Sequence, residues 1–101
     1  MTKPGLFVAL EAKVGKEKQL ATFLRDALPL VEAEPNTASW FAIQMSLSRF
    51  GIFDTFPDEK GREAHLSGGV AKALMANAPD LLEKPPSIEK IEILVEKLPN
   101  R

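Results

Sequence analysis

Apolar positions along the chain switch between two periods, and the switches mark its elements. Leu6, Phe7, Val8, Ala9 and Leu10 form a short β-competent run between Pro4-Gly5 and Gly15, which predicts a strand over residues 6–13. After Lys16 the spacing lengthens to three and four residues. Leu20, Phe23, Leu24, Ala27, Leu28 and Val31 then share one helical face. Pro29 falls inside that stripe and is expected to kink the helix, because it removes a main-chain donor. Glu34-Pro35-Asn36-Thr37 reads as a turn. Residues 38–45, with Trp40, Phe41 and Ile43, predict a second strand. Ser46-Leu47-Ser48 connects it to a third over residues 49–56, so the two are expected to form a hairpin.

Asp58 is suited to cap a second helix, with Glu59 at the positive end of its dipole. The apolar stripe of that helix is Leu66, Val70, Ala73 and Leu74, and Gly68-Gly69 interrupts it. Ala78-Pro79-Asp80 is expected to end it, with room for a single turn through Leu82. Lys84-Pro85-Pro86-Ser87 then leads, as an extended linker, into a last strand over residues 88–98. The order β-α-β-β-α-β predicts an α+β, ferredoxin-like fold, with a four-stranded antiparallel sheet and two helices on one face, as a single domain over residues 1–101.

The strands do not alternate as a half-wet sheet requires. Phe7 and Ala9 oppose Leu6, Val8 and Leu10. Trp40 and Ala42 oppose Phe41, Ile43 and Met45, and Phe53 opposes Phe50, Ile52 and Phe56. In the last strand, Leu94 opposes Ile91, Ile93 and Val95. Two helices cover one face only. The other is expected to pack against a second copy, giving a homodimer through the open sheet face.

Composition narrows the chemistry. Lys and Arg number 13 against 14 Asp and Glu, interspersed along the chain, so no basic stripe suits a nucleic acid. With no cysteine and one histidine, a disulfide framework, a thiolate nucleophile and a Cys- or His-rich metal centre are excluded within one chain. No early apolar run is long enough for a signal segment or a membrane span, and a cytoplasmic protein is the expectation.

Residues 50–66 carry the most chemical information: an aromatic strand, a Pro57-Asp58 turn, then a helix presenting His65. Cysteine and tyrosine are absent, so His65 is the one side chain whose free pKa, about 6.5, lets it change charge near neutrality. Asp54 lies inside the apolar strand, where an unpaired carboxylate is costly. It must reach solvent, pair with a cation or main-chain donor, or hold His65.

Glu34-Pro35-Asn36-Thr37-Ala38-Ser39-Trp40 resembles the Glu-Pro-Gly turn leading into strand two of antibiotic-biosynthesis-monooxygenase-like domains. The segment from Phe53-Asp54-Thr55-Phe56 to Ala64-His65-Leu66 resembles the strand-to-helix signature of the same family. The resemblance spans residues 6–95 and implies a dimeric α+β barrel. It also implies a cofactor-independent monooxygenase that oxidises a small aromatic or quinol-like substrate with dioxygen. On that reading His65 is the base, tuned by Asp54 or Glu63, and Trp40, Phe53 and Phe56 form an aromatic wall for the substrate. Arg49 and Arg62 are candidate anion partners. Neither a metal nor a cofactor is expected. The chain departs from the family at Phe53, where a tyrosine is common, and at Val70, where a second histidine is frequent. No asparagine lies within residues 6–10, so haem degradation does not fit. The alternative expectation is a non-catalytic or small-ligand-binding dimeric barrel, in which His65 is a histidine at the edge of the core.

Overall fold

The computed structural model describes residues 2–99 as four strands and four helical segments. In chain order they are β1 (Lys3–Glu11), α1 (Glu17–Asp26), α2 (Leu28–Glu32), β2 (Ser39–Gln44), β3 (Arg49–Thr55), α3 (Glu59–Leu66), α4 (Gly69–Leu81) and β4 (Ser87–Ile93). The strands pair antiparallel in the order β2-β3-β1-β4, which is the expected ferredoxin-like sheet.

Both predicted helices are divided where their sequences weaken them. Pro29 has no N–H to return to Arg25, so α1 closes at Ala27 and the chain re-enters helix as α2. Ser67 and Gly68 separate α3 from α4, and the Asp58 side chain caps α3 by accepting from the Gly61 N–H at 2.9 Å. Most strand ends differ from expectation by one or two residues, and three boundaries differ for reasons the structure shows. Pro79 lies inside α4 rather than ending it. The helix runs on to Leu81, and the Leu82 N–H closes it on the Ala78 carbonyl at 2.8 Å. β1 begins three residues early because Gly5 permits close pairing, where a Cβ would stand 2.9 Å from the Asp54 carbonyl oxygen. β4 stops at Ile93, whose partner is Lys3, so β1 offers no further residue to extend the ladder.

Register assigns the two sheet faces. Val8, Leu10, Phe50 and Ile52 lie beneath the helices and pack with Leu20, Leu24 and Leu74 in the main core, and Leu6 is buried on the same face. Phe7, Phe41, Ile43, Phe53 and Ile91 occupy the opposite, open face, where Phe41 and Phe53 stack at 6.2 Å between ring centroids. Phe41 remains 51% exposed and Met45 42%, so this face is apolar and uncovered in the single chain. Among the described residues no helix is long and apolar enough to cross a membrane.

Candidate functional site

β3 carries Asp54 on the same parity as Phe50 and Ile52, so its side chain enters the helix-covered face and is completely buried. α3 crosses above it and, in its last turn, turns His65 inward, also buried. The two meet: His65 Nε2 stands 3.0 Å from Asp54 Oδ2, close enough for an ion pair although not aligned as a hydrogen bond. The other ring nitrogen, Nδ1, is 2.6 Å from Oε1 of Glu34, which also accepts from the Thr37 hydroxyl at 2.8 Å. Three elements distant in sequence, the α2–β2 turn, β3 and α3, thus converge on one imidazole.

Burial alone disfavours a charged imidazole, but Asp54 and Glu34 outweigh it, and the His65 pKa is raised above its ordinary value. Asp54 is also raised. Desolvation of its carboxyl dominates, Glu34 adds repulsion, and the pull of His65 only partly offsets them. The ring therefore holds its proton to higher pH than a free histidine. The Asp54 carboxylate is a stronger base than a surface aspartate. The role expected of His65 as an unoccupied base is thereby modified, because both of its nitrogens already face carboxylates.

The aromatic residues divide between the two faces. Phe56 is fully buried with its ring centroid 5.3 Å from that of His65. Trp40 lies opposite Asp54 in the β2–β3 register, on the same face, and its buried indole N–H has no partner among the described residues. Phe53 points to the open face and does not join them. Two further expectations change. Glu63 pairs with Lys90 at 3.1 Å rather than tuning His65. Arg62 is buried and largely committed: it donates to the carbonyls of Gly5 and Ile91, both at 3.1 Å, and pairs with Glu59 and Glu92, so it is held as a structural group rather than presented to a substrate anion. Arg49 lies exposed at the start of β3. Glu34 is the residue sequence reasoning missed. It reads as part of a turn, and no spacing relates it to His65, 31 positions away.

One cleft adjoins this array and a second adjoins Trp40. One, of about 190 Å³, lies over His65 and Glu34 between the α2–β2 turn and α3. The other, of about 400 Å³, runs between α1 and β2 beside Trp40, within the range of small-ligand sites. Among the described residues no group of three or more His, Asp and Glu side chains is arranged to hold a metal ion.

The chain is similar to several solved structures. The NE2512 protein of unknown function from Nitrosomonas europaea is 60% identical, with a TM-score of 0.94, over 98% of this chain and 96% of that one. A proposed antibiotic biosynthesis monooxygenase from the same organism is 16% identical, with a TM-score of 0.81, over 91% of this chain and 99% of that one. Another from Caulobacter crescentus is 14% identical, with a TM-score of 0.79, over 93% of this chain and 92% of that one. At such identities the last two share the fold. No protein-family model matches the chain, and no curated protein does.

Proposed function

We propose, from the premise that this chain belongs to the family of the NE2512 protein and has the antibiotic-biosynthesis-monooxygenase-like fold, that it is a cofactor-independent monooxygenase acting on a small quinol-like aromatic. The observation that carries the reading is the buried Asp54–His65 pair, with half-buried Glu34 on the other ring nitrogen, beside an indole N–H unpartnered among the described residues. Such a reaction needs a base in a dry site, a donor for the resulting anion, and a substrate that supplies its own electrons.

The substrate ring lies against Trp40 in the cleft between α1 and β2. Asp54 is buried beyond that cleft, so the reading requires the Trp40 side chain to shift on binding. The hydroxyl proton then passes to Asp54, whose raised pKa suits it to accept one, and the positive imidazole beside it compensates the charge. The same shift brings the Trp40 N–H, buried in the resting structure, to the oxyanion. The electron-rich anion then reacts with dioxygen. One oxygen atom enters the ring as a new C–O bond in place of C–H, the other leaves as water, and the quinol becomes a hydroxyquinone. All the electrons come from the substrate. His65 and Asp54 are the catalytic residues of this reading, and Trp40 and Phe56 flank the site. Phe53, on the other face, belongs to the dimer contact.

That contact is the second part of the proposal. The apolar open face, with Phe41 and Ile43 on it, packs against the same face of a second copy, so that the two sheets close a barrel-like core. Light scattering is expected to report a dimer for the wild type and a monomer for Ile43→Lys. A wild-type monomer at micromolar concentration sinks this part.

The catalytic part is tested by oxygen uptake over a panel of quinols. Asp54→Asn is expected to lose about a hundredfold or more in rate, and His65→Ala to lose activity with it. Uptake by no protein with any quinol, or equal uptake by all, removes the mechanism. A second reading, a non-catalytic barrel that binds a small ligand, draws support from His65 having both nitrogens committed to carboxylates. Ligand binding without uptake favours it.

A further inference from the structure

Ala42 faces the same side of the sheet as Ile52, the helix-covered side, yet it is exposed. α1 stands back from this edge of the sheet, and the small Ala42 side chain leaves open the floor of the α1–β2 cleft. Leu24, Leu28 and Phe50 wall it, Trp40 closes one end, and the cleft holds about 400 Å³, the size of a fused aromatic ring system. Its polar character is one-sided. Arg25, in the last turn of α1, is its charged residue, no carboxylate lines it, and among the described residues Arg25 makes no ion pair. Trp40 offers the cleft its ring, because its indole N–H is buried away from solvent. Apolar walls, an aromatic end, one free guanidinium and no acid complement a flat ring carrying an anionic substituent.

We infer that the α1–β2 cleft binds a planar aromatic acid, its ring against Trp40 and its carboxylate or equivalent anion on Arg25. The inference deepens the reading above and rests on it for the aromatic class of the ligand. It adds the acidic substituent and names Arg25 as the residue that selects for it. An exposed guanidinium cannot give high affinity, because solvent screens it. It gives discrimination of a few-fold between a charged and a neutral ligand of the same shape.

Trp40 is the only tryptophan, so its indole N–H is a single unambiguous signal in a ¹H–¹⁵N spectrum. Titration with 2-naphthoate and with neutral 2-naphthamide is expected to move that signal, with the carboxylate binding about fivefold tighter. Arg25→Gln, an exposed substitution that leaves the core intact, is expected to bring the two ligands to within about twofold of each other while the amide binds as before. Three results overturn the inference: an indole signal that neither ligand moves, wild-type affinities that match, or a preference that survives Arg25→Gln. Failure of the oxygenase reading looks different. In that case naphthoate is still preferred through Arg25 while no quinol supports oxygen uptake. Full uptake together with matched affinities overturns this inference alone.

Discussion

His65→Ala is the perturbation that most directly tests whether the buried array is held together by charge. The substitution removes the imidazole between two carboxylates and leaves Asp54, fully buried, without the one cation that faces it. Breaking a buried pair from one side costs about 3–5 kcal/mol, because the surviving charge is stranded. Here the lost contact with Phe56 adds a packing loss, and protonation of Asp54 gives relief, so about 4 kcal/mol is expected near pH 7.5. That is a large share of the roughly 5–15 kcal/mol available to a domain of this size.

Asp54→Asn keeps the shape of the side chain and removes its charge, while His65 retains Glu34. It is expected to cost about 1 kcal/mol. The double variant strands no carboxylate in the core, so it should lose about 2 kcal/mol less than the two single losses combined. Urea unfolding at one fixed protein concentration, followed by Trp40 fluorescence, measures all four corners of the cycle. Singles that add to within about 0.5 kcal/mol, or a His65→Ala loss below about 1 kcal/mol, refute the reasoning.

The remaining predictions follow from the same geometry. The folded chain holds protons on His65 and Asp54 more tightly than the unfolded chain does, so stability falls as pH rises. The His65 contribution is complete below about pH 6.5 and is lost as pH climbs through its higher folded value. Unfolding midpoints at pH 6 and pH 9 should show this fall, and His65→Gln should flatten it. A wild type that gains stability over that range contradicts the assignment. Asp58→Ala removes the acceptor of the Gly61 N–H and should cost about 1 kcal/mol in thermal or urea unfolding. Gly61→Ala drives a Cβ to 2.7 Å from the Asn36 carbonyl oxygen, in the turn that carries Glu34. It should cost about 1–3 kcal/mol and broaden the His65 ring signals in NMR spectra. A neutral Gly61→Ala would mean that the turn yields freely.

Much of the fold is legible in the one-dimensional pattern, because a two-residue or a three-to-four-residue apolar period is a local property of the chain. Pro29 and Gly68 announce the helix breaks in the same way, since missing donors and missing side chains act where they stand. Pro79 shows the limit of that logic. Its neighbours Ala78, Leu81 and Leu82 are buried, and packing carries α4 past a residue that disfavours it locally. The end of β4 was illegible for a related reason: apolar residues continue to Leu98, but a strand needs a partner, and β1 supplies none beyond Lys3.

The candidate site divides along the same line. That His65 and Asp54 were the residues to watch followed from scarcity and from an acid in an apolar strand, both properties of the sequence itself. Which nitrogen faces which carboxylate did not follow. Glu34 reaches His65 across 31 positions only because the α2–β2 turn folds back over α3. Arg62 looked available and is instead consumed by main-chain carbonyls. Phe53 looked like part of an aromatic wall and points away from it. The sequence alone therefore determined the order of the elements, the two-faced apolar sheet and the short set of titratable residues, because composition and period act locally. Tertiary structure alone decided which of those residues share one buried space, because electrostatic neighbours there are set by packing across distance rather than by spacing along the chain.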